Sequence, residues 1–458
     1  MKQFFAFLFI VFHGVVNSQD TLTELNLNQF LQHVKENHPV ALIAQNNLAL
    51  ADQYVRLSKG AFDPVLMGGV DQKYFDGKTY YSTIGAGLKI PTRIGVDVKM
   101  MANWSRGVYL NNENTLPDQG LTAIGVEVPI GKGLLTDERR NQLKRAVLGT
   151  QQSLVEQQLA LNDLLYEAGQ AFISWQEQEA QLLLALEGLA LAETRYQQIY
   201  ANVALGERAD IDTVEAIAQL FLRQMEVDQR RLNAQNTRLV VENYLWEKGV
   251  LPLVLDDGIK PQPLVLIAPV PRLSDTLDQH PIVTWYDLKR KDLQLERQLK
   301  LEQLKPQLNV NYNLLQTPQN AAAFNYSLSN YKWGGTLYVP IFLRKERASL
   351  QMTTIKMANV ALEQEKKQRE ITMKHNQVQN EWLTLCNQAL KAQQIANHYF
   401  TLVLSERTLF ETGESSLFLI NAREMNYLGA QSKYIEFIAK TQKSALSDQY
   451  VKGLLGMR

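Results

Sequence analysis

Arg208, Asp210, Asp212 and Glu215 crowd into the stretch "GERADIDTVEA", which opens on Gly206. Two kinds of chemistry can be asked of them. Three carboxylates could supply oxygen ligands to a hard cation. Alternatively, Asp212 could cap the N-terminus of a helix, with Glu215 three residues later completing a capping box. The other reactive side chains offer less. "GKG" at 131–133 lacks the G-x-x-x-x-G-K-[ST] spacing of a phosphate-binding loop. Six histidines show no metal-ligand spacing, and His38 and His280 each precede a proline at a helix break, as polar turn residues do. Cys386, the one cysteine, reads as a small apolar residue on a helix and excludes a disulfide within the chain. No catalytic constellation, metal set or cofactor motif is legible, which points to a protein that is not an enzyme.

Composition narrows the class further. Lys+Arg and Asp+Glu both number 47 in 458 residues, and without a basic excess nucleic acid is not the expected partner. Lys2, the apolar run "FFAFLFIVFHGVV", and Val16 and Ser18 at small-residue positions make residues 1–18 a secretory signal peptide, too short for a transmembrane helix. No other long apolar run follows. A membrane-spanning part would therefore have to be a β-barrel, since open sheet edges cannot face lipid.

The elements alternate. Residues 27–61 read as helix broken at Pro39. Residues 62–130 are rich in glycine and carry alternating patterns such as "STIGAGLKI" and "TAIGVEVPI", with four strand-like runs at 65–75, 80–90, 94–104 and 121–130. A proline-free stretch follows, with a seam at Leu154, Leu161, Leu165, Ala168, Phe172, Trp175, Leu182, Leu186, Leu189, Tyr196, Tyr200 and Val203. Its 3.5-residue period reads as coiled-coil-like packing, with both seam tryptophans, Trp175 and Trp382, as packing residues. Gly206 interrupts it, and helix resumes near Asp212 with Val214, Ala218, Phe221, Met225 and Leu232. Residues 249–273 hold five prolines and form a connector. Then helix restarts near Ser274, strand-like "PQLNVNYNLL" and "KWGGTLYVPIF" follow, and a second seam runs from Ile371 through Trp382 and Ala389 to Phe410, before Gly413.

The second programme repeats the first. Pro39 to Pro281 and Pro64 to Pro306 are both 242 residues; Trp175 to Trp382 and Gly206 to Gly413 are both 207. The chain thus divides into a first repeat at 19–248, the connector, and a second repeat at 274–458. A helical run over 132–205 would be about 100 Å long and must pack lengthwise on a hairpin partner. Each half would carry strands at one end and a helical hairpin with a Gly turn at its tip. One chain has too few strands for a pore, so several copies would close it, as cyclic oligomers do.

Over its mature length the chain resembles the TolC-like outer-membrane efflux proteins. The resemblance rests on the signal peptide, the duplicated halves, the "HP" helices leading to Pro-started strands, "VPIGKGLLTDERRNQLKRA" where strand gives way to long helix, and the tips "RYQQIYANVALGERADIDTVEAIAQL" and "RTLFETGESSLFLINAREMNYLGAQ". It implies a mostly helical α+β fold: long helical hairpins forming a periplasmic α-barrel, with strands completing a transmembrane β-barrel. It implies a homotrimer with four strands per subunit, seated in outer-membrane lipid, whose tips meet a periplasmic adaptor coupled to an inner-membrane pump. It also implies the role of exit duct in a tripartite efflux or type I secretion system. The tip turns would be Gly206 and Gly413. The family's acidic ring near the second tip falls here on Phe418 and Asn421; Arg208, Asp210, Asp212 and Glu215 at the first tip would be the entrance charge. The competing reading is a secreted periplasmic coiled-coil scaffold without a pore. One departure stands out: the first half shows four strand-like runs where two are implied.

Overall fold

The computed structural model describes residues 24–269, 280–318 and 326–457. The signal peptide, the helix start read near Ser274 and the last residues of the connector lie outside them. In chain order the elements are β1 (Glu24–Leu25), α1 (Leu27–Asn37), α2 (Pro39–Gly60), β2 (Val65–Phe75), β3 (Lys78–Pro91), β4 (Asp97–Arg106), β5 (Leu121–Gly131), α3 (Glu138–Ala204), α4 (Asp210–Glu242), β6 (Trp246–Glu247), β7 (Leu251–Pro252), β8 (Lys260–Pro261), α5 (Pro281–Gln303), β9 (Gln307–Gln316), β10 (Tyr331–Tyr338), α6 (Arg344–Glu411) and α7 (Leu417–Val451). The fold is α+β and mostly helical. At 67 and 68 residues, α3 and α6 are each about 100 Å long.

The two His-Pro signatures do the same local work. At His38 and His280 the backbone is extended, with ψ of 138° and 133°. Nδ1 of each imidazole accepts the N–H two residues on, from Val40 at 3.2 Å and from Ile282 at 3.1 Å. The proline between them takes the first helical position, where no N–H is needed. These histidines are helix caps. The connector is also more ordered than its prolines suggest: β7 pairs with β6, and β8 pairs with β1.

Residues cluster into two compact units. The sheet unit takes His38–Glu167, Ala268–Thr384 and the chain from Ser444 onward; the hairpin unit takes the described residues up to Asn37, Ala168–Ile267 and Leu385–Lys443. The sheet unit holds one antiparallel six-stranded sheet in the order β10-β9-β5-β4-β3-β2. Six strands correct the four implied by the resemblance, and four of them come from the first half. The β2–β3 turn is the two-residue Asp76-Gly77, with φ of 50° and 71°. Positive φ at both positions matches the twist of a tight hairpin.

The hairpin unit shows how well each seam was legible. On α6 the residues Leu385, Ala389, Ala392, Ala396, Val403 and Phe410 are all buried, as its seam requires. On α3 the seam holds at Phe172 and Trp175, where Phe172 also stacks on Phe30 at 5.1 Å. Beyond Trp175 it slips. Gln181, Leu184, Ala185, Arg195 and Ile199 are buried, while Leu186 and Tyr200 are exposed. On α4 the apolar stripe Val214, Phe221, Met225 and Leu232 faces outward, and Ala216, Val227, Ala234 and Val241 face in.

Candidate functional site

The hairpin turns are built alike. Where α3 ends, Gly206 has φ +76° and donates to Val203 O at 2.9 Å, and Glu207 donates to Asn202 O at 2.9 Å. Where α6 ends, Gly413 has φ +80°, with the corresponding bonds to Phe410 O at 3.2 Å and from Glu414 to Leu409 O at 2.8 Å. Each is a Schellman closure, in which a left-handed residue lets the last carbonyls find donors. A side chain there would be strained although space is open.

The acidic cluster sits on the turn after Gly206, in a different role from the expected cap. The N-cap of α4 is Ala209, with no side-chain bond; Asp210 and Asp212 lie in the first helical turn. The turn brings the chain into the helix at Ala209, three residues early for Asp212 to cap. In the first turn both carboxylates still complement the positive end of the helix dipole. Asp212 Oδ2 lies 3.6 Å from Arg208 Nη1, and the Arg208 guanidinium stands 4.2 Å over the Phe410 ring. Glu215 accepts from Asn421 Nδ2 at 3.2 Å, which ties α4 to α7. Asp210 is exposed. Among the described residues no group of three or more His, Cys, Asp or Glu side chains is placed to hold a metal ion.

A second ionic cluster behind the turns escaped the sequence reading. Arg195 Nη2 donates to Glu424 Oε1 at 2.6 Å, both side chains nearly inaccessible at 8% and 9%. Arg407 lies 3.8 Å from the same carboxylate oxygen. Glu406, also buried, accepts from Ser415 Oγ and lies 3.6 Å from Arg423 Nε. Arg195 Nε and Nη1 are buried without hydrogen-bond partners. Burial lowers the Arg195 pKa against the pull of Glu424, yet a guanidinium stays charged. A half-satisfied buried ion pair costs more than a fully bonded one, so this packing is held less firmly than the apolar cluster of Ile199, Ala216, Phe410, Leu417 and Ile420 beside it. The signal that could have found it was Arg195 and Arg407, which open the two quoted tip segments.

The sheet is the other feature with functional geometry. Its register puts Leu66, Leu88, Met100, Ile124 and Leu314 in one row on one face, and Val70, Ile84 and Trp104 in another. The opposite face carries Lys89, Asp97, Lys99, Glu127, Asn311 and Asn313. Lys89 pairs with Asp97 at 2.9 Å and reaches Glu127 at 3.9 Å, and Lys99 pairs with Glu127. Among the described residues no helix is long and apolar enough to cross a membrane.

No protein-family model matches the chain. No curated protein sequence matches it either. Solved structures do. The CmeC outer membrane channel of Campylobacter jejuni superposes with a TM-score of 0.67 at 12% identity, over 93% of this chain and 85% of that one. The outer membrane protein VceC of Vibrio cholerae gives 0.66 at 12% identity, over 93% and 96%. The open state of the MtrE outer membrane channel of Neisseria gonorrhoeae gives 0.68 at 13% identity, over 94% and 88%. The chain therefore has the fold of these outer-membrane channels, as its resemblance to the TolC-like proteins implies.

Proposed function

We propose that this chain is the outer-membrane exit duct of a tripartite efflux or type I secretion system. Three copies seat their sheets in the outer membrane of a Gram-negative bacterium. Their helices extend into the periplasm, and their tips meet an adaptor protein coupled to an inner-membrane pump. The two-faced sheet carries this reading: apolar rows suit lipid, and the charged and amide rows suit a wet passage. The likeness to outer-membrane channels over at least 93% of the chain supports it. So do the exposed stripe on α4, which suits packing against another copy, and exposed Leu205, Ile211 and Phe418 at the turns, which suit a docking partner.

No step of this function acts on the solute chemically. The tips open by rearranging the half-satisfied ionic cluster, and Asp210, Asp212 and Glu215 of each copy ring the entrance and attract cations. The test is membrane fractionation followed by planar-bilayer conductance. The duct reading expects an outer-membrane protein that conducts ions, with weaker cation selectivity once the three carboxylates are neutralised. A soluble, non-conducting protein would return the chain to the scaffold reading.

A further inference from the structure

We propose that the β3–β4 hairpin is a membrane-spanning part of the barrel wall, so that three copies close an eighteen-stranded barrel rather than a twelve-stranded one. The number of copies and the membrane setting rest on the duct reading above.

The register carries the argument. The hairpin continues the two faces of the sheet without a slip. Ile84, Leu88 and Ile90 of β3 stand opposite Trp104, Met100 and Val98 of β4, and Met100 and Val98 stand opposite Ile124 and Val126 of β5. On the other face Lys89 stands opposite Lys99, and both bind Glu127 of β5. A hairpin in water would have no reason to keep an unbroken apolar row aligned with the lipid face of its neighbour. Length agrees too: β3 has 14 residues and β4 has 10, where a tilted strand needs about 9–11 to cross the hydrocarbon core.

The turn of the hairpin is built into the rest of the unit. Arg139 Nη1 and Nη2 both donate to Asp97 Oδ1 at 3.2 Å, and Arg140 donates to Gly133 O and to Leu134 O at 3.2 Å, beneath Gly95. The extra pair is thereby fixed to the start of α3.

The sheet edges complete the case. β2 and β10 are the end strands, and among the described residues neither is paired on its outer side. All 11 residues of β2 are exposed. An open edge in lipid leaves backbone groups unsatisfied, at several kcal/mol each. Because the number of strands is even and every pairing antiparallel, β2 and β10 run in opposite directions. A second copy of this chain can therefore join β2 to β10 as one more antiparallel pair. Three sheets of six give eighteen strands. At about 4.8 Å between strands and a tilt of about 40°, the wall is about 36 Å across, against about 24 Å for twelve. The eighteen-stranded wall therefore encloses the wider water-filled bore.

Cysteine accessibility in native outer membranes tests this, with a Cys386→Ser background and a membrane-impermeant maleimide as the probe. Lys89→Cys and Lys99→Cys should label, and labelling should be lost at Leu88→Cys and Met100→Cys. In β9, Asn311→Cys should label and Val310→Cys should not. If all four hairpin positions label while β9 still alternates, the hairpin lies outside the wall and the proposal is overturned, with the duct reading intact. If β9 fails to alternate as well, the duct reading itself falls.

Discussion

Behind the turns, Glu424 of α7 faces arginines of both α3 and α6. It meets nearly inaccessible Arg195 at 2.6 Å and the more exposed Arg407 at 3.8 Å. Replacing it with glutamine keeps the shape but strands a buried guanidinium, which costs about 3–5 kcal/mol. Glu424→Gln should therefore speed hydrogen exchange around both turns and raise ion leak in planar bilayers, while exchange in the sheet stays unchanged. Unaltered exchange at the turns would show that the pair contributes no stability. His280 gives a second residue-level expectation. Its Nδ1 accepts from Ile282, so the cap needs the neutral ring, and burial lowers its pKa below the ordinary 6.5 despite a hydrogen bond to the Val451 backbone. A lowered folded-state value means the unfolded chain takes the proton first. The contribution is thus fully present above about pH 6.5 and is lost as pH falls toward the folded-state value. Melting temperature should drop between about pH 7.5 and pH 5.5, and His280→Asn, which still caps, should reduce that drop.

At the scale of elements, what the sequence disclosed depended on who a residue's partner is. Most of the α6 seam is apolar residues and alanine, which a search for apolar period finds, whereas buried Gln379 and Glu406 on the same helix leave no such trace. The α3 seam uses Gln181, bonded to Ser432 at 2.9 Å, and Arg195, whose partner lies 229 positions away; polar seam residues with distant partners leave no periodic trace. On α4 the large apolar side chains form the outer face, because small Ala216 and Ala234 are what close approach to the neighbouring helices permits. Strands were legible because "LNVNYNL" alternates apolar and amide side chains along β9. The faces of the sheet then make an element-scale prediction. Val126 lies on the apolar face, between Val98 and Tyr312, and Asn311 on the charged one. Val126→Arg should cost about 2–4 kcal/mol of folding stability in lipid vesicles, and Asn311→Arg far less, as read by urea titration. Equal costs would mean that neither face is lipid-exposed.

For the whole molecule, strand number and copy number become one question. Six strands cannot make a ligand-wide barrel alone, since even eight leave room for little beyond side chains. Twelve strands, the number implied by resemblance, would need only two copies of this sheet, whereas threefold assembly gives eighteen. The duplication within the chain does not decide between them, because it fixes what each copy contributes and not how many copies meet. Each copy carries one β2 edge and one β10 edge, and any closed ring of copies satisfies both. Mixing does decide. Two versions of the chain that differ in mass, expressed together in equal amounts and extracted as intact assemblies, should give four species by native mass spectrometry in proportions of about 1:3:3:1. Three species at about 1:2:1 would mean a twofold assembly with twelve strands, and would overturn the threefold reading even if every strand spans the membrane.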